Sequence, residues 1–305
     1  MIARLLAACV AAVALACGEP HAEAQLSTST PAPATVAASA AAAPSTAASP
    51  APSPRASAAE PMRATATATA RDSRPATSAT ASHAAPSAAV EVSRGAREGR
   101  LLALSFDCGG HAGPTAEILD ALREADVSVT FFLIGQWVEA YPELARAIGE
   151  RHEVANHSHA HPDYRDLSDD AIARDLERAD AAIVAATGRS TRPLWRAPSG
   201  ARDARVLAAA ARAGWPVHVF WTIERDALGL VTGDSGDWRG FTAAEVAANL
   251  ERAAALGGGV ITVSHCDSDA TRDALPELLR RLRAAGVRVT TVSAMLASVP
   301  GGAAR

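Results

Sequence analysis

From about residue 95 onward, short apolar runs alternate with amphipathic stretches, and this alternation limits the fold more than any other feature of the chain. The apolar runs have the length and composition of buried strands, and they span 101–106, 129–134, 217–222, 260–264 and 287–292. Helical spacing of apolar residues covers 115–125, 168–188 and 242–256. This order predicts an α/β domain with a parallel sheet, either open or closed into a barrel. Both architectures place functional residues at the carboxyl ends of the strands.

The N-terminus has the features of an export signal. Residues 1–17 contain the apolar run Leu5–Ala16, which is too short to span a bilayer but has the length of a signal-peptide core. Small residues lead to Cys17, as in a bacterial lipobox. We therefore expect an exported protein, periplasmic or at the cell surface, attached to a membrane through a lipidated Cys17. The alternative is ordinary cleavage, with Cys17 discarded or left free.

Ala, Pro, Ser and Thr dominate 18–94, and large hydrophobic residues are rare there. Such a segment does not bury enough apolar surface to offset its chain entropy, so we expect a disordered tether. The rest of the chain divides into one domain over 95–299 and a tail over 300–305. The net charge is −4, and the 29 basic residues, all arginine, form no basic block, which argues against a nucleic-acid partner.

Three histidines, His157, His159 and His161, follow a short strand-like segment and precede Pro162. Because the proline disfavours helix at the residue before it, a loop at a strand end is expected to present them. Closely spaced neutral imidazoles suit a borderline cation such as zinc, with cobalt or nickel as alternatives. We expect His157 and His161 to bind a divalent metal and His159 to lie behind them or in solvent. The competing interpretation is a surface run with no function.

Four other polar clusters end apolar runs. Asp107 is a candidate base or metal ligand, and the adjacent Cys108 is a ligand, half of a disulfide or a packing residue. Arg196, in a turn between prolines, can pin a carboxylate or lie on the surface. The segment 233–238 carries two aspartates and a tryptophan, and His265 ends a buried strand. Each cluster alone is a weak signal, but together they favour a functional site.

Taken in chain order, these clusters resemble the motifs of the polysaccharide deacetylase family (carbohydrate esterase family 4, the NodB-homology domain), in its F-D-x-G-G variant. The matching segments are Ser105–Gly109, His157–His161, Arg196–Gly200, Asp234–Trp238 and the apolar strand that ends in His265. The resemblance covers about 98–298. It implies a distorted (β/α)7 barrel and a hydrolase that removes acetyl groups from an envelope or extracellular polysaccharide, most often from the nitrogen of glucosamine.

The same resemblance implies a division of roles around a metal. Asp107 would be the general base for the attacking water, and Arg196 would pair with it and keep it ionised. His157 and His161 would hold the metal, which activates the water and polarises the acetyl carbonyl. The backbone N–H of Ser199 would stabilise the oxyanion.

The acid side of the implied site involves a second set of residues. His265 would protonate the departing amine, and Asp237 would hold its tautomer. Trp238 and Val263 would line the acetyl pocket. Since the stretch before Trp238 is longer than is usual in the family, Glu224 or Asp226 is an alternative partner for His265.

The larger departure from the family motifs is Cys108, because the family ordinarily has a metal-binding aspartate at this position. A Cys108 thiolate could complete a Cys-His-His site, or Cys108 could bond to Cys266 or stay a buried free thiol. In an exported protein the disulfide is favoured over the thiolate. The departure motivates a second hypothesis, a non-catalytic glycan-binding relic of the same fold. A third hypothesis is a metal-dependent amidohydrolase barrel, which would need further metal ligands from later strands.

Overall fold

The computed structural model describes residues 88–298. The predicted signal segment with Cys17, nearly all of the predicted tether and the tail over 300–305 lie outside the described residues. Among the described helices, none has both the length and the apolar character needed to cross a membrane.

The domain is built on parallel strands. In chain order the strands are β1 (Val90–Val92), β2 (Leu101–Ala103), β3 (Ser105–Cys108), β4 (Thr130–Leu133), β5 (Glu153–Asn156), β6 (Leu194–Trp195), β7 (Val217–Val219), β8 (Ile223–Asp226), β9 (Gly229–Thr232), β10 (Val260–Ile261), β11 (Ser264–His265) and β12 (Arg288–Thr290). A seven-stranded parallel sheet has the order β1-β7-β6-β5-β4-β3-β11, and a three-stranded parallel sheet has the order β10-β2-β12. The predicted α/β class is confirmed. Within 88–298 the larger ladder ends at β1 and β11, and backbone hydrogen bonds from Gly95 to Gly259 and from Thr222 to Ile261 connect the segments that follow β1 and β7 to the region of β10.

Helices connect these strands. In chain order they are α1 (Thr115–Glu124), α2 (Gly135–Ala140), α3 (Pro142–Arg151), α4 (Asp169–Thr187), α5 (Ala204–Arg212), α6 (Ala243–Ala254), α7 (Asp269–Ala284) and α8 (Val292–Ala297). Local sequence sets several of their ends. Thr242 and Glu245 form a capping box before α6, and Gly188 ends α4 in the left-handed conformation at φ +70°.

Strand alternation divides the core into two layers. Alternate residues from β2 through β3 pack with buried residues of the helices α1, α6 and α7. These residues are Leu102, Leu104, Phe106 and Cys108. The intervening Ala103 belongs to a second cluster, which gathers residues from six other strands and α8. The side chain of Asp107 is on the same face of the sheet as that of Ala103. Asp107 therefore lies over this second cluster, at the carboxyl end of β3.

Two parts of the fold differ from the sequence expectations. Strand β1 lies inside the range 18–94 that we expected to be tether, and it pairs in parallel with β7 as an edge of the large sheet. The stretch between Trp221 and Asp237 contains the antiparallel hairpin β8–β9. Val231 anchors this hairpin in the core beside α6, whereas Ile223, Leu228 and Leu230 stay exposed.

Candidate active site

Asp107 and His265 lie directly opposite each other on the adjacent strands β3 and β11. Arg196, which is fully buried, donates from Nη1 to Asp107 Oδ1 at 2.6 Å and from Nη2 to Ser105 Oγ at 3.0 Å. Its guanidinium also stacks on Phe132, 3.9 Å from the ring centroid. Burial alone would raise the pKa of Asp107, but the charges of Arg196 and the nearby histidines lower it below its ordinary value. The carboxylate is therefore held ionised inside the domain.

His265 is held by Asp237. One Asp237 oxygen lies 2.7 Å from His265 Nδ1, and the other accepts from the His265 backbone N–H at 2.7 Å and from Thr271 Oγ1 at 2.6 Å. Burial opposes protonation of the imidazole, but the hydrogen bond and charge of Asp237 raise the pKa of His265 to about 9.

The two alternative partners for His265 are engaged elsewhere. Glu224 pairs with Arg94 at 2.8 Å and with Arg97 at 2.7 Å. Asp226 pairs with Arg252 at 2.8 Å. The predicted contact between Asp237 and His265 is therefore the one that the structure contains, although the stretch before Trp238 is long.

His157 and His161 lie beside Asp107. His157 Nδ1 is 3.0 Å from the carbonyl oxygen of Arg196, which places the proton on Nδ1 and leaves the Nε2 lone pair facing Asp107 Oδ2 at 3.4 Å. Burial lowers the pKa of His157 to about 4 and also lowers that of His161, whose ring is 5.1 Å from that of His157. Two acceptors thus face each other across 3.4 Å, an arrangement that a bound cation would stabilise.

Cys108 does not fit the ligand role that we considered for it. It forms a disulfide with Cys266, with a Cα–Cα distance of 5.0 Å. Strand alternation turns its side chain away from Asp107 and into the helix-facing core, where it is fully buried. The prediction of a Cys108 thiolate ligand is therefore wrong, and the disulfide alternative is the one present. Over 88–298, no group of three or more His, Cys, Asp or Glu side chains is arranged to hold a metal ion.

A cavity of about 570 Å³ is lined by most of the predicted residues, namely Asp107, His157, His161, Ser199, Trp238, Val263 and His265, whereas Arg196 and Asp237 contact Asp107 and His265 from outside the lining. Ser199 sits in a tight turn at φ +53°. Val263 is buried in the wall, whereas Trp238 is 63% exposed at the rim. His159 is buried outside this lining, where its backbone N–H donates to Asp175 at 2.8 Å.

Two residues were missed as contributors to the site, and a third, Asp234, belonged to a matched motif but was given no role. Trp221 lines the cavity, and Thr271 on α7 supports Asp237. Asp234 accepts from Trp238 Nε1 at 3.2 Å and so orients the rim indole. The spacing of Asp234 and Trp238 carried a signal for that contact, whereas Thr271 lies 34 residues from its partner and belongs to no motif.

Both the sequence and the fold match known proteins. The profile of the family described as polysaccharide deacetylase matches residues 94–218. A chitooligosaccharide deacetylase of Rhizobium leguminosarum bv. trifolii is 32% identical over 203 residues, covering 66% of this chain and 85% of that protein. The chain belongs to the polysaccharide deacetylase family. Deacetylases of this family are hydrolases of carbon–nitrogen bonds other than peptide bonds, as the resemblance implied.

Other relatives are matched over less of their own length. An uncharacterised 30.6 kDa protein of Geobacillus stearothermophilus is 36% identical over 39% of this chain, and the chain spans 45% of it. The crystal structure of a CE4 family pseudoenzyme from Bacillus anthracis has a TM-score of 0.60 at 26% identity, covering 70% of this chain and 69% of that one. A mutant of that pseudoenzyme, described as having restored enzymatic activity, matches with the same TM-score of 0.60.

Proposed function

We propose that the chain hydrolyses the acetyl amide of N-acetylglucosamine units in a polysaccharide. The observation that carries the proposal is the pairing of Asp107, held ionised, with His265, held protonated, on adjacent strands at one cavity. Amide hydrolysis needs these two groups, a base for the attacking water and an acid for the departing amine. The chitooligosaccharide deacetylase among its relatives supports this substrate class.

Each proton transfer can be assigned to a named atom. Asp107 accepts the proton of the attacking water at Oδ2, because Arg196 occupies Oδ1. The backbone N–H of Ser199 donates to the oxygen on which negative charge develops. His265 donates its Nε2 proton to the amine nitrogen, while Asp237 holds Nδ1. Trp238 and Val263 would confine the sugar and its acetyl group in the cavity.

His157 and His161 would hold a divalent metal, and two neutral imidazoles suit zinc. When bound, such a cation polarises the acetyl carbonyl and lowers the pKa of the attacking water. The third protein ligand expected of the family is replaced by the disulfide, so we propose that the metal is held less tightly than by a three-residue site.

Acetate release by the full-length chain tests this function. We expect release from chitooligosaccharides or from peptidoglycan, lost after treatment with a chelator and restored by zinc. Elemental mass spectrometry should then find about one zinc per restored chain. The absence of acetate release from every acetylated glycan, with zinc supplied, would contradict the proposal.

A glycan-binding role without catalysis is the second candidate, because Cys108, at the sequence position of the family's third ligand, is bound in the disulfide and a related structure is that of a pseudoenzyme. This role predicts that chitooligosaccharides bind with the same affinity before and after chelator treatment, and that no acetate is released. The experiment above therefore separates the two functions.

A further inference from the structure

Glu91 lies on β1, outside every motif and within the range that the sequence indicated as tether. Its side chain is one-third exposed, yet it engages two partners that both contact the turn carrying Ser199. In the parallel register Glu91 lies opposite His218 of β7. Its Oε2 is 3.0 Å from His218 Nδ1, and it accepts two hydrogen bonds from Arg202, at 2.7 and 2.9 Å.

Each partner reaches one end of the turn. The backbone N–H of Ala197 donates to His218 Nε2 at 3.2 Å, so the proton of this buried imidazole sits on Nδ1 and points to Glu91. At the other end, Arg202 Nη1 donates to the carbonyl oxygen of Gly200 at 3.2 Å. The guanidinium of Arg202 also stacks on Phe220, 3.7 Å from its ring centroid.

The turn between these ends needs such support. Ser199 and Gly200 both have positive φ angles, +53° and +66°, and the first of these is unfavourable for a residue with a side chain. A Cβ atom on Gly200 would lie 2.8 Å from Phe220 and 2.9 Å from Trp221, so the turn is also closely packed. Contacts from outside the turn therefore hold it in this conformation.

We propose that Glu91 is a positioning residue that fixes the oxyanion-binding turn by holding both of its ends through His218 and Arg202. The inference rests on the proposed function, in which the Ser199 N–H stabilises the developing negative charge. Glu91 should affect the stability of the transition state, because a donor aimed at the oxyanion contributes little to binding of the uncharged amide. Removing Glu91 should therefore lower kcat more than it raises KM.

The test compares Glu91→Ala with Glu224→Ala in the full-length chain. Glu224 is a matched control, since it is a partly buried carboxylate that pairs with two arginines but does not contact the turn. We expect Glu91→Ala to lower kcat about 10- to 100-fold with KM changed less than about threefold. Glu91→Gln, which keeps an acceptor for His218 but loses the charge facing Arg202, should recover part of kcat.

Amide hydrogen exchange provides a readout that does not depend on activity. In Glu91→Ala the amides of Ala197, Ser199 and Gly200 should exchange about 10-fold faster than in the wild type, and in Glu224→Ala they should not. Unchanged exchange and unchanged kcat in Glu91→Ala would overturn the inference, as would a general loss of stability equal in both variants. If the wild-type chain releases no acetate, the proposed function fails, and the exchange rates still decide whether Glu91 holds the turn.

Discussion

His157 and His265 face the same cavity, and each lies next to an aspartate, yet the structure assigns them opposite protonation states. The pKa of His157 is lowered to about 4, whereas that of His265 is raised to about 9. At neutral pH one ring offers a lone pair and the other offers a proton. A metal ligand and a general acid need these two different states.

The difference comes from burial and from the partners of each aspartate. The His157 side chain is 4% exposed and that of His265 is 32% exposed, so desolvation penalises a charged His157 more. Asp107 already forms an ion pair with Arg196, and its free oxygen is 3.4 Å from His157. Asp237 is bonded to Thr271 and lies 2.7 Å from His265 Nδ1. In this site Asp107, already paired with Arg196, raises the pKa of His157 too little to offset burial, whereas Asp237, which pairs with no arginine among the described residues, raises the pKa of His265 above its ordinary value.

Asp107→Asn should produce the largest change, because it removes the proposed base. We expect kcat to fall by about 10²–10⁴-fold. Acetate release per folded molecule measures this. Asp126→Asn, which removes an exposed carboxylate that does not line the cavity, is the control for charge. Activity within twofold of the wild type would rule out Asp107 as the base.

Asp237→Asn should lower the pKa of His265 toward the low pKa of His157. Without the carboxylate, burial is the main remaining influence, so the pKa of His265 should fall from about 9 to its ordinary value or below. The alkaline limb of the kcat/KM profile should move to lower pH, with a loss of about 10-fold or more at pH 8. Titration of the His265 ring by NMR checks the same shift directly. An alkaline limb still near pH 9 would show that Asp237 does not control this proton.

The stability of the metal-free chain should depend on pH in opposite ways for the two histidines. The folded pKa of His265 lies above that of an unfolded histidine, so its contribution is fully present below pH 6.5 and is lost as the pH rises through about 9. His157 has a lowered folded pKa, so its neutral form favours folding above pH 6.5, and this contribution is lost as the pH falls through about 4.

Urea unfolding of His265→Gln and His157→Gln across pH 4–10 measures this contrast. The destabilisation in His265→Gln should shrink between about pH 6.5 and 9, whereas that in His157→Gln should shrink between about pH 6.5 and 4. If the destabilisation has the same pH dependence in both variants, the folded pKa values of the two histidines do not differ in the way that the structure indicates.

Sequence reasoning predicted the parts of this picture that local patterns encode. Apolar runs indicated β4 and apolar periodicity indicated α4, and the motif resemblance pointed to Asp107, Arg196 and His265, which lie together in the structure. The side that Cys108 faces was also predictable, since period-two alternation from Leu102 to Phe106 extends to it.

Other features had no local signal. Strand β1 has three residues and follows a tether-like sequence, so only its pairing with β7 identifies it. Glu91 meets Arg202 and His218, which lie 111 and 127 residues away. Such contacts depend on the folded arrangement of the strands and not on any periodicity in the chain.

Opening the disulfide should have the smallest effect on the two histidines, although it joins the strand ends next to Asp107 and His265. Neither cysteine contributes to the pKa shift of either ring, and the backbone N–H of Cys266 still donates to the carbonyl of Asp107 at 3.1 Å. We expect Cys108→Ala/Cys266→Ala to keep kcat within about threefold and to leave both pKa values unchanged.

The free energy of unfolding should nevertheless fall by about 2–4 kcal/mol in this double variant, because the bridge closes a long loop. A mass difference of two hydrogens between the native and reduced wild-type chain confirms that the bridge is present. A shift in the pKa of His265 in the double variant would mean that the covalent link, and not the contact with Asp237, controls the acid.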